Sequence, residues 1–413
     1  MRALYICTDN YPHHGACTSL LNKLFFDGHL IDMIGSVDVL TVKYSIDEPT
    51  IEKWKQITIY RQLIPYFVDG TTLKRTVKRH PFLTTKVILS KIINKIWFSN
   101  HETEFLYPHI TKKIIDMLKR IKAGEYDIII GMSGNFHVLD ALRKMKGAEQ
   151  IKKYIVYQVD PCSTKETENA NTLSARCEFE DIVYKNAKAI ITTPIIAREI
   201  KCGRNQKFSS KVYAMEFPNI TSRSEKPKQD VESDRIVCSF AGHIYSGIRN
   251  PQYTLKLFQL LEKKDIELHL IGVREQDLVS YQKGALTVCR GELELQETRN
   301  EMEHSHILVN IGNSMLNQVP SKLFEYISSG KPIINICKHR NCPTIPYMES
   351  YPLAINIFED EEISIAAQKV LEFIRCTSGK RVSSKEIYRL YRNCTAEYCA
   401  QHMHDIIASS MCE

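Results

Sequence analysis

Val319-Pro320-Ser321-Lys322-Leu323-Phe324-Glu325-Tyr326, closed by Gly330-Lys331-Pro332, is the stretch on which the fold turns. Residues 307–311 (Ile-Leu-Val-Asn-Ile) run just before it and 333–336 (Ile-Ile-Asn-Ile) just after. Short, almost unbroken apolar runs of this kind read as parallel strands buried on both faces. Between them the spacing predicts a helix over 321–329, with Pro320 ahead of it, Ser321 as its cap and Gly330 as its stop. A helix that starts at the carboxyl end of a parallel strand stands where open α/β sheets bind ligands. Its free N–H groups and the positive end of its dipole suit a phosphate. Lys322 adds a cation. Glu325, one turn further in, can accept two hydrogen bonds from a diol such as a ribose. Phosphate and diol together point to a nucleotide.

Working outward, apolar runs at 236–240, 266–271 and 286–289, with a helix expected over 251–261, make the second half of the chain an alternating series. The first half repeats the pattern, with strands expected at 2–8, 37–42, 126–131, 153–159 and 188–192 and helices over 16–26 and 136–146. Such alternation marks a doubly wound parallel sheet. Residues 221–234 (TSRSEKPKQDVESD) are almost wholly polar and read as a linker. The expected organisation is therefore α/β, with a Rossmann-like domain over 1–220, a linker over 221–234, a second such domain over 235–384, and a closing helix over 385–413.

Bulk composition limits the function classes. The chain has 413 residues, 43% of them hydrophobic and 25% charged, with a net charge of +7. That is ordinary for a globular protein and too mildly basic to argue for nucleic acid. The thirteen cysteines are scattered, with no CxxC pair, which predicts reduced thiols in a cytoplasm rather than a disulfide framework or a zinc site. Residues 1–7 read as a first strand rather than a targeting segment. No apolar run is long enough to span a bilayer. Residues 71–98 stand apart. They carry Lys74, Arg75, Lys78, Arg79, Lys86, Lys91 and Lys95 without one acidic residue, interleaved with Val87, Ile88, Ile92, Ile93, Ile96, Trp97 and Phe98. This is either a solvated helix packed by its apolar side or a segment that lies on anionic lipid headgroups. There is no Gly-x-Ser-x-Gly elbow, no Walker phosphate loop and no GxGxxG fingerprint.

Two Rossmann-like halves with the nucleotide motif in the second resemble the GT-B fold, two domains facing across a cleft, of glycosyltransferases. The closest likeness is to the retaining family 4 enzymes of bacterial surface-polysaccharide synthesis. It is carried by Pro320 to Tyr326 with Gly330-Lys331-Pro332, and supported by the turn from Gly242 to Pro251 and the loop at Gly291. The resemblance implies a donor site in which Glu325 binds the ribose hydroxyls. Ser321 and Lys322 meet the diphosphate, with Val319, Pro320 and Leu323 framing them. Arg249, a few residues after Gly242, takes the place of a basic residue on the diphosphate, and His243 stands where relatives often carry another. The loop Arg290-Gly291-Glu292-Leu293 would pass under the base, or be an ordinary turn. The family places an acidic residue eight positions before the ribose-binding Glu; here it is Asn317.

In the first half the resemblance implies that Gly15 lets backbone N–H groups approach the donor phosphate or the acceptor. His13 and His14 are contacts or plain loop residues. His137 is a candidate sugar-contacting histidine, and Asp160 a candidate for the acceptor hydroxyl. The catalytic set is then Arg249, Lys322 and His137. No DxD cluster accompanies the motif, so no metal is expected. No cofactor is expected either, beyond a UDP- or GDP-linked sugar as co-substrate. The expected activity is hexosyl transfer, with retention, to a glycan or lipid-linked glycan, by a cytoplasmic protein peripheral to the inner face of the cell membrane. The rival readings are a GT-B-fold nucleotide-sugar epimerase and a non-catalytic nucleotide-binding partner of a glycosyltransferase.

Overall fold

A computed structural model describes residues 1–13, 15–100, 106–162, 170–220, 235–244 and 247–412, without the side chains of 94–100. The expected linker over 221–234 and His14 lie outside the described residues, as do the side chains of Lys95, Ile96, Trp97 and Phe98. The chain forms two compact units. One comprises Met1–Pro218 and Ala396–Glu413, the other Asn219–Thr395.

The first unit is built on eight strands: β1 (Arg2–Ile6), β2 (Ser36–Val42), β3 (Ile51–Trp54), β4 (Ile57–Gln62), β5 (Ile128–Met132), β6 (Tyr154–Gln158), β7 (Ala189–Thr192) and β8 (Val212–Ala214). Their order is β3-β4-β2-β1-β5-β6-β7-β8. Every neighbouring pair is parallel except β3 with β4. β1 lies in the middle, with Leu4 beside Asp38 on one side and Ile129 on the other. The central strands are buried throughout because helices cover both faces. The antiparallel hairpin Ile51–Gln62 was not foreseen. β3 alternates exposed and half-buried residues, as an edge strand facing water does, so it lacks the apolar run that marks its neighbours. The helix expected over 16–26 ends at Asn22 and continues as a π-helical turn, Lys23–Asp27.

The second unit carries β9 (Ile236–Ala241), β10 (Ile266–Ile271), β11 (Thr287–Gly291), β12 (Ile307–Ile311), β13 (Ile333–Cys337) and β14 (Ala354–Phe358). All run parallel in the order β11-β10-β9-β12-β13-β14. One face is apolar. Ile307, Val309, Ile311, Ile334, Ile336 and Ile357 pack there with Leu255, Phe258, Val370 and Ile374 of the helices Gln252–Leu261 and Ile363–Thr377. The other face holds a buried asparagine ladder at one register level. Asn310 donates to Asn335 at 2.7 Å and Asn335 to Asn356 at 2.7 Å, so each amide finds its partner on the next strand.

The helix expected over 385–413 is two helices. Ser384–Leu390 belongs to the second unit and Ala396–Cys412 to the first. The break falls at Tyr391, which leaves helical geometry (φ −120°) as its hydroxyl bonds the Tyr347 carbonyl at 2.5 Å. Within the first unit the last helix is tied by the Cys399 thiol on the Glu216 carbonyl (3.3 Å) and by Lys153 on the Ser410 carbonyl (3.0 Å). All thirteen cysteines are free thiols. Among the described residues no helix is long and apolar enough to cross a membrane.

Candidate functional site

In the second unit the sheet reverses direction between β9 and β12. β10 and β11 extend one way from β9, and β12 to β14 the other. The loops leaving the carboxyl ends of β9 and β12 therefore part from each other and open a crevice, the usual ligand position in such sheets. The residues singled out from the sequence gather here. Gly242 follows β9 and leads to Arg249. The loop 312–321 follows β12 and leads into the helix Lys322–Ser329. The two loops are stitched together. Ser314 N–H donates to the Ile248 carbonyl (2.7 Å) and the Ser314 hydroxyl to the Gly247 carbonyl (2.7 Å).

Arg249 is the cation tied to both loops of this crevice. Its Nε and Nη2 both donate to Asn313 Oδ1, at 3.1 and 2.8 Å, and Nη1 donates to the His243 carbonyl at 3.1 Å. The guanidinium also stands over the Phe240 ring, 5.6 Å from its centroid. These bonds orient the half-buried guanidinium, unlike that of a solvated surface arginine. Asn313 was not foreseen, although a polar residue two positions past a buried strand is a usable signal. The His243 side chain is exposed; its part here is played by its carbonyl.

Tyr326 joins the other half of the site to this one. It is buried, and its hydroxyl accepts the Ala241 N–H at 2.7 Å, pinning the motif helix to the last residue of β9. Burial pushes its phenol above the ordinary value; the Ala241 N–H and Arg249 act against that, and Glu325 with it. Arg249 and Glu325 therefore both lie within electrostatic reach of one hydroxyl. Glu325 itself bonds Lys322 at 2.8 Å, with about a third of each side chain exposed (33% and 31%). Two groups assigned to different parts of a nucleotide thus form one ion pair.

Ser321 does not act as the expected side-chain cap. It has helical geometry (φ −60°, ψ −28°) and makes no capping bond. The first turn is closed by the backbone instead, Leu323 N–H to the Pro320 carbonyl (3.0 Å) and Phe324 N–H to that of Ser321 (3.3 Å). Leu323, expected beside the donor, is wholly buried, as are Val319 and Pro320 nearly so; their job is to seat the loop. Asn317 is also buried, at 8% exposure. Gly330 ends the helix in the left-handed region (φ +73°), as expected.

At the next strands the crevice floor is backbone. Gly272, just past β10, has φ +86°, and a Cβ there would lie 2.9 Å from the Gly242 carbonyl oxygen. It was missed, though a glycine directly after a strand is visible in the sequence. Gly272 N–H donates to the Gly291 carbonyl at 2.7 Å, so the Gly291 loop is tied to that floor. Glu292 is exposed and Leu293 half-buried. Arg290 turns to Glu301 at 3.4 Å, which also faces the buried His269 and through it Glu267.

The first unit has its own reversal point, between β1 and β5. Gly15 (φ +121°) has a packing reason of its own. A Cβ there would fall 2.0 Å from Asp9 Oδ2, because the Asp9 carboxyl occupies that space and accepts the Thr18 N–H at 3.1 Å. The helix start expected to meet a ligand is thus met by the chain's own carboxylate. Burial raises the Asp9 pKa, against the bonds from Thr18 and Cys17. Asp160 is exposed past the end of β6 and acts electrostatically on the buried Cys17 thiol together with Asp9 and Cys7, so Asp9 and Asp160 share a neighbourhood. His13 is exposed.

His137 does not fit a catalytic role. Its ring is 5% exposed, Nε2 accepts the Tyr107 N–H at 2.8 Å, and Nδ1 bonds Asn135 Oδ1 at 2.5 Å. The ring stacks on Tyr107. Burial lowers its pKa to about 4, and a proton on Nε2 would face the Tyr107 N–H. The neutral ring is a structural tie between the start of the helix Phe136–Gly147 and the Tyr107 backbone.

Two parallel-sheet units, each with a ligand position at its reversal point, define the GT-B fold shared by glycosyltransferases and epimerases. Solved structures bear this out along the chain. An α,α-trehalose-phosphate synthase (UDP-forming) from Burkholderia xenovorans matches 98% of this chain over 100% of its own, at TM-score 0.63 and 8% identity. A putative UDP-N-acetylglucosamine 2-epimerase from Listeria monocytogenes matches 99% over 96% of its own, at 0.54 and 10%. An O-GlcNAc transferase from Thermobaculum terrenum matches 100% over 67% of its own, at 0.52 and 9%. No protein-family model and no curated protein sequence matches the chain. At such identities the likeness is one of fold.

Proposed function

We propose that the protein is a glycosyltransferase that moves a sugar from a nucleoside-diphosphate sugar to an acceptor hydroxyl, with retention and without a metal. The observation that carries this is the oriented Arg249, held by Asn313 at the carboxyl end of β9, with Lys322 and Glu325 entering from the helix after β12. A diphosphate laid along this crevice would take Arg249 and Lys322 as its cations, and its ribose would displace Lys322 from Glu325. Charge develops on the diphosphate as the bond from the anomeric carbon breaks, and a preorganised guanidinium is worth most at that moment. The new bond forms to the acceptor oxygen, whose proton passes to the departing diphosphate, so no histidine base is required. This agrees with His137 being neutral and buried. The fold likeness to a UDP-forming synthase favours uridine as the first base to try, and a glycan or lipid-linked glycan is the acceptor class proposed.

A thermal-shift screen with uridine, guanosine, adenosine and cytidine diphosphates tests the donor site. A ligand at a hundred times its dissociation constant should stabilise by about 2.7 kcal/mol. Product analysis with the corresponding sugar then separates transfer from epimerisation. A transferase gives product only with acceptor present; an epimerase releases an epimerised sugar without one. Absence of any stabilisation would sink both.

A further inference from the structure

The helix Pro81–Asn100 has two apolar sides. One side is packed: Val87 is buried in a small core with Ile46, Val68 and Leu73, with Leu83 against it, and Lys91 Nζ is drawn in to the Val68 carbonyl at 2.5 Å. The other side is bare. Phe82, Leu89 and Ile93 are seven and four residues apart, which puts them in one stripe of an α-helix. They are 84%, 54% and 64% exposed. Ile88 and Ile92 widen the stripe at 44% and 50%. Such a run of large apolar groups in water marks an interaction surface. Along the chain, the segment that carries it is rich in cations. Lys74, Arg75, Lys78 and Lys86 are exposed, and there is no acidic residue from 71 to 98; Arg79 and His80 lean on Asp47, at 3.7 and 2.9 Å.

We propose that this helix docks the protein on an anionic lipid bilayer, with Phe82, Leu89 and Ile93 entering the acyl boundary and the cations of the preceding helix, Gly70–Thr76, and its following turn resting on the headgroups. Charge selects this occupant. A second copy brought up by two-fold symmetry would set the same cations against one another, whereas an anionic membrane satisfies apolar stripe and cations together. The inference is independent of the donor chemistry.

Co-sedimentation of the full chain with phosphatidylcholine vesicles, and with vesicles also containing phosphatidylglycerol, tests it. Binding should favour the anionic vesicles by at least about tenfold and weaken with salt. Replacing Phe82, Leu89 and Ile93 together by Ser should lower it about tenfold or more, and each of Lys74→Gln, Arg75→Gln and Lys78→Gln about fivefold. Far-ultraviolet circular dichroism and the milder Leu89→Ser variant guard against a folding defect. Equal binding to both vesicle types, no binding, or binding indifferent to these substitutions overturns the proposal. So does a triple variant that turns a dimer into a monomer in the ultracentrifuge without changing vesicle binding.

Discussion

Arg249 offers the sharpest test of the donor site. In the structure its guanidinium donates two hydrogen bonds to Asn313 Oδ1 and one to the His243 carbonyl. Those bonds fix the plane of the guanidinium before any ligand arrives. Hydrogen bonds to charged groups contribute about 1.5–3 kcal/mol each, and loss of one preorganised transition-state donor costs about 2.7–4 kcal/mol. Arg249→Ala should therefore lower kcat about a hundred- to a thousandfold, and weaken nucleoside-diphosphate binding by less, since the ground state carries less charge. Arg249→Lys keeps the charge but loses the planar fork, and should fall between. Asn313→Ala leaves the cation in place and removes its two bonds to Asn313 Oδ1, so about a tenfold loss in kcat is expected with KM little changed. The assay is initial transfer rate at saturating donor, with diphosphate affinity measured by calorimetry. The reasoning is refuted if Arg249→Ala keeps kcat within about threefold of the parent. It also fails if Asn313→Ala reproduces the full Arg249→Ala loss without lowering the melting temperature.

Glu325→Ala should weaken nucleoside-diphosphate binding by about 2 kcal/mol, roughly thirtyfold; the parent should discriminate against the 2′- and 3′-deoxy analogues and the variant should not, as calorimetry with the three nucleotides would show. Gly272→Ala places a Cβ at φ +86°, 2.9 Å from the Gly242 carbonyl oxygen, and should destabilise by about 1–3 kcal/mol, seen as a lower urea midpoint with an unchanged slope. His137 is held neutral, its pKa lowered to about 4 by burial. A base whose folded pKa lies below its unfolded value contributes stability that is complete above the unfolded value, about 6.5, and is lost as pH falls towards the folded one. Urea titrations between those limits should show about 3 kcal/mol of acid-induced loss from this group, and His137→Gln should flatten that slope; an unchanged slope would remove His137 from the account.

Much of the fold was legible along the chain. Buried parallel strands need unbroken apolar runs, and those at 307–311 and 333–336 stand out because neighbouring residues alone set them. The stop at Gly330 was equally local. The edge hairpin Ile51–Gln62 was not, since a half-solvated strand dilutes the apolar signal. The break at Tyr391 depends on the Tyr347 carbonyl, 44 residues away, and no helical periodicity reports it.

The candidate site divides along the same line. Its address, the helix after β12 with Lys322 and Glu325 one turn apart, was written in a dozen consecutive residues, because helix caps, glycine stops and i,i+3 spacing act over a single turn. What the cations and histidines do there was decided by packing. Arg249 meets Asn313, 64 positions on, only because β9 and β12 are neighbours at the reversal of the sheet. Gly15 makes room for Asp9, and His137 spends both ring nitrogens on Asn135 and Tyr107. The same holds for the bare stripe on Pro81–Asn100. Composition showed apolar residues among cations, but which side of the helix meets the core depends on where Ile46, Val68 and Leu73 lie in three dimensions. Local order follows from propensities that reach a few residues; the use of a side chain follows from neighbours that strand order alone brings within bonding distance.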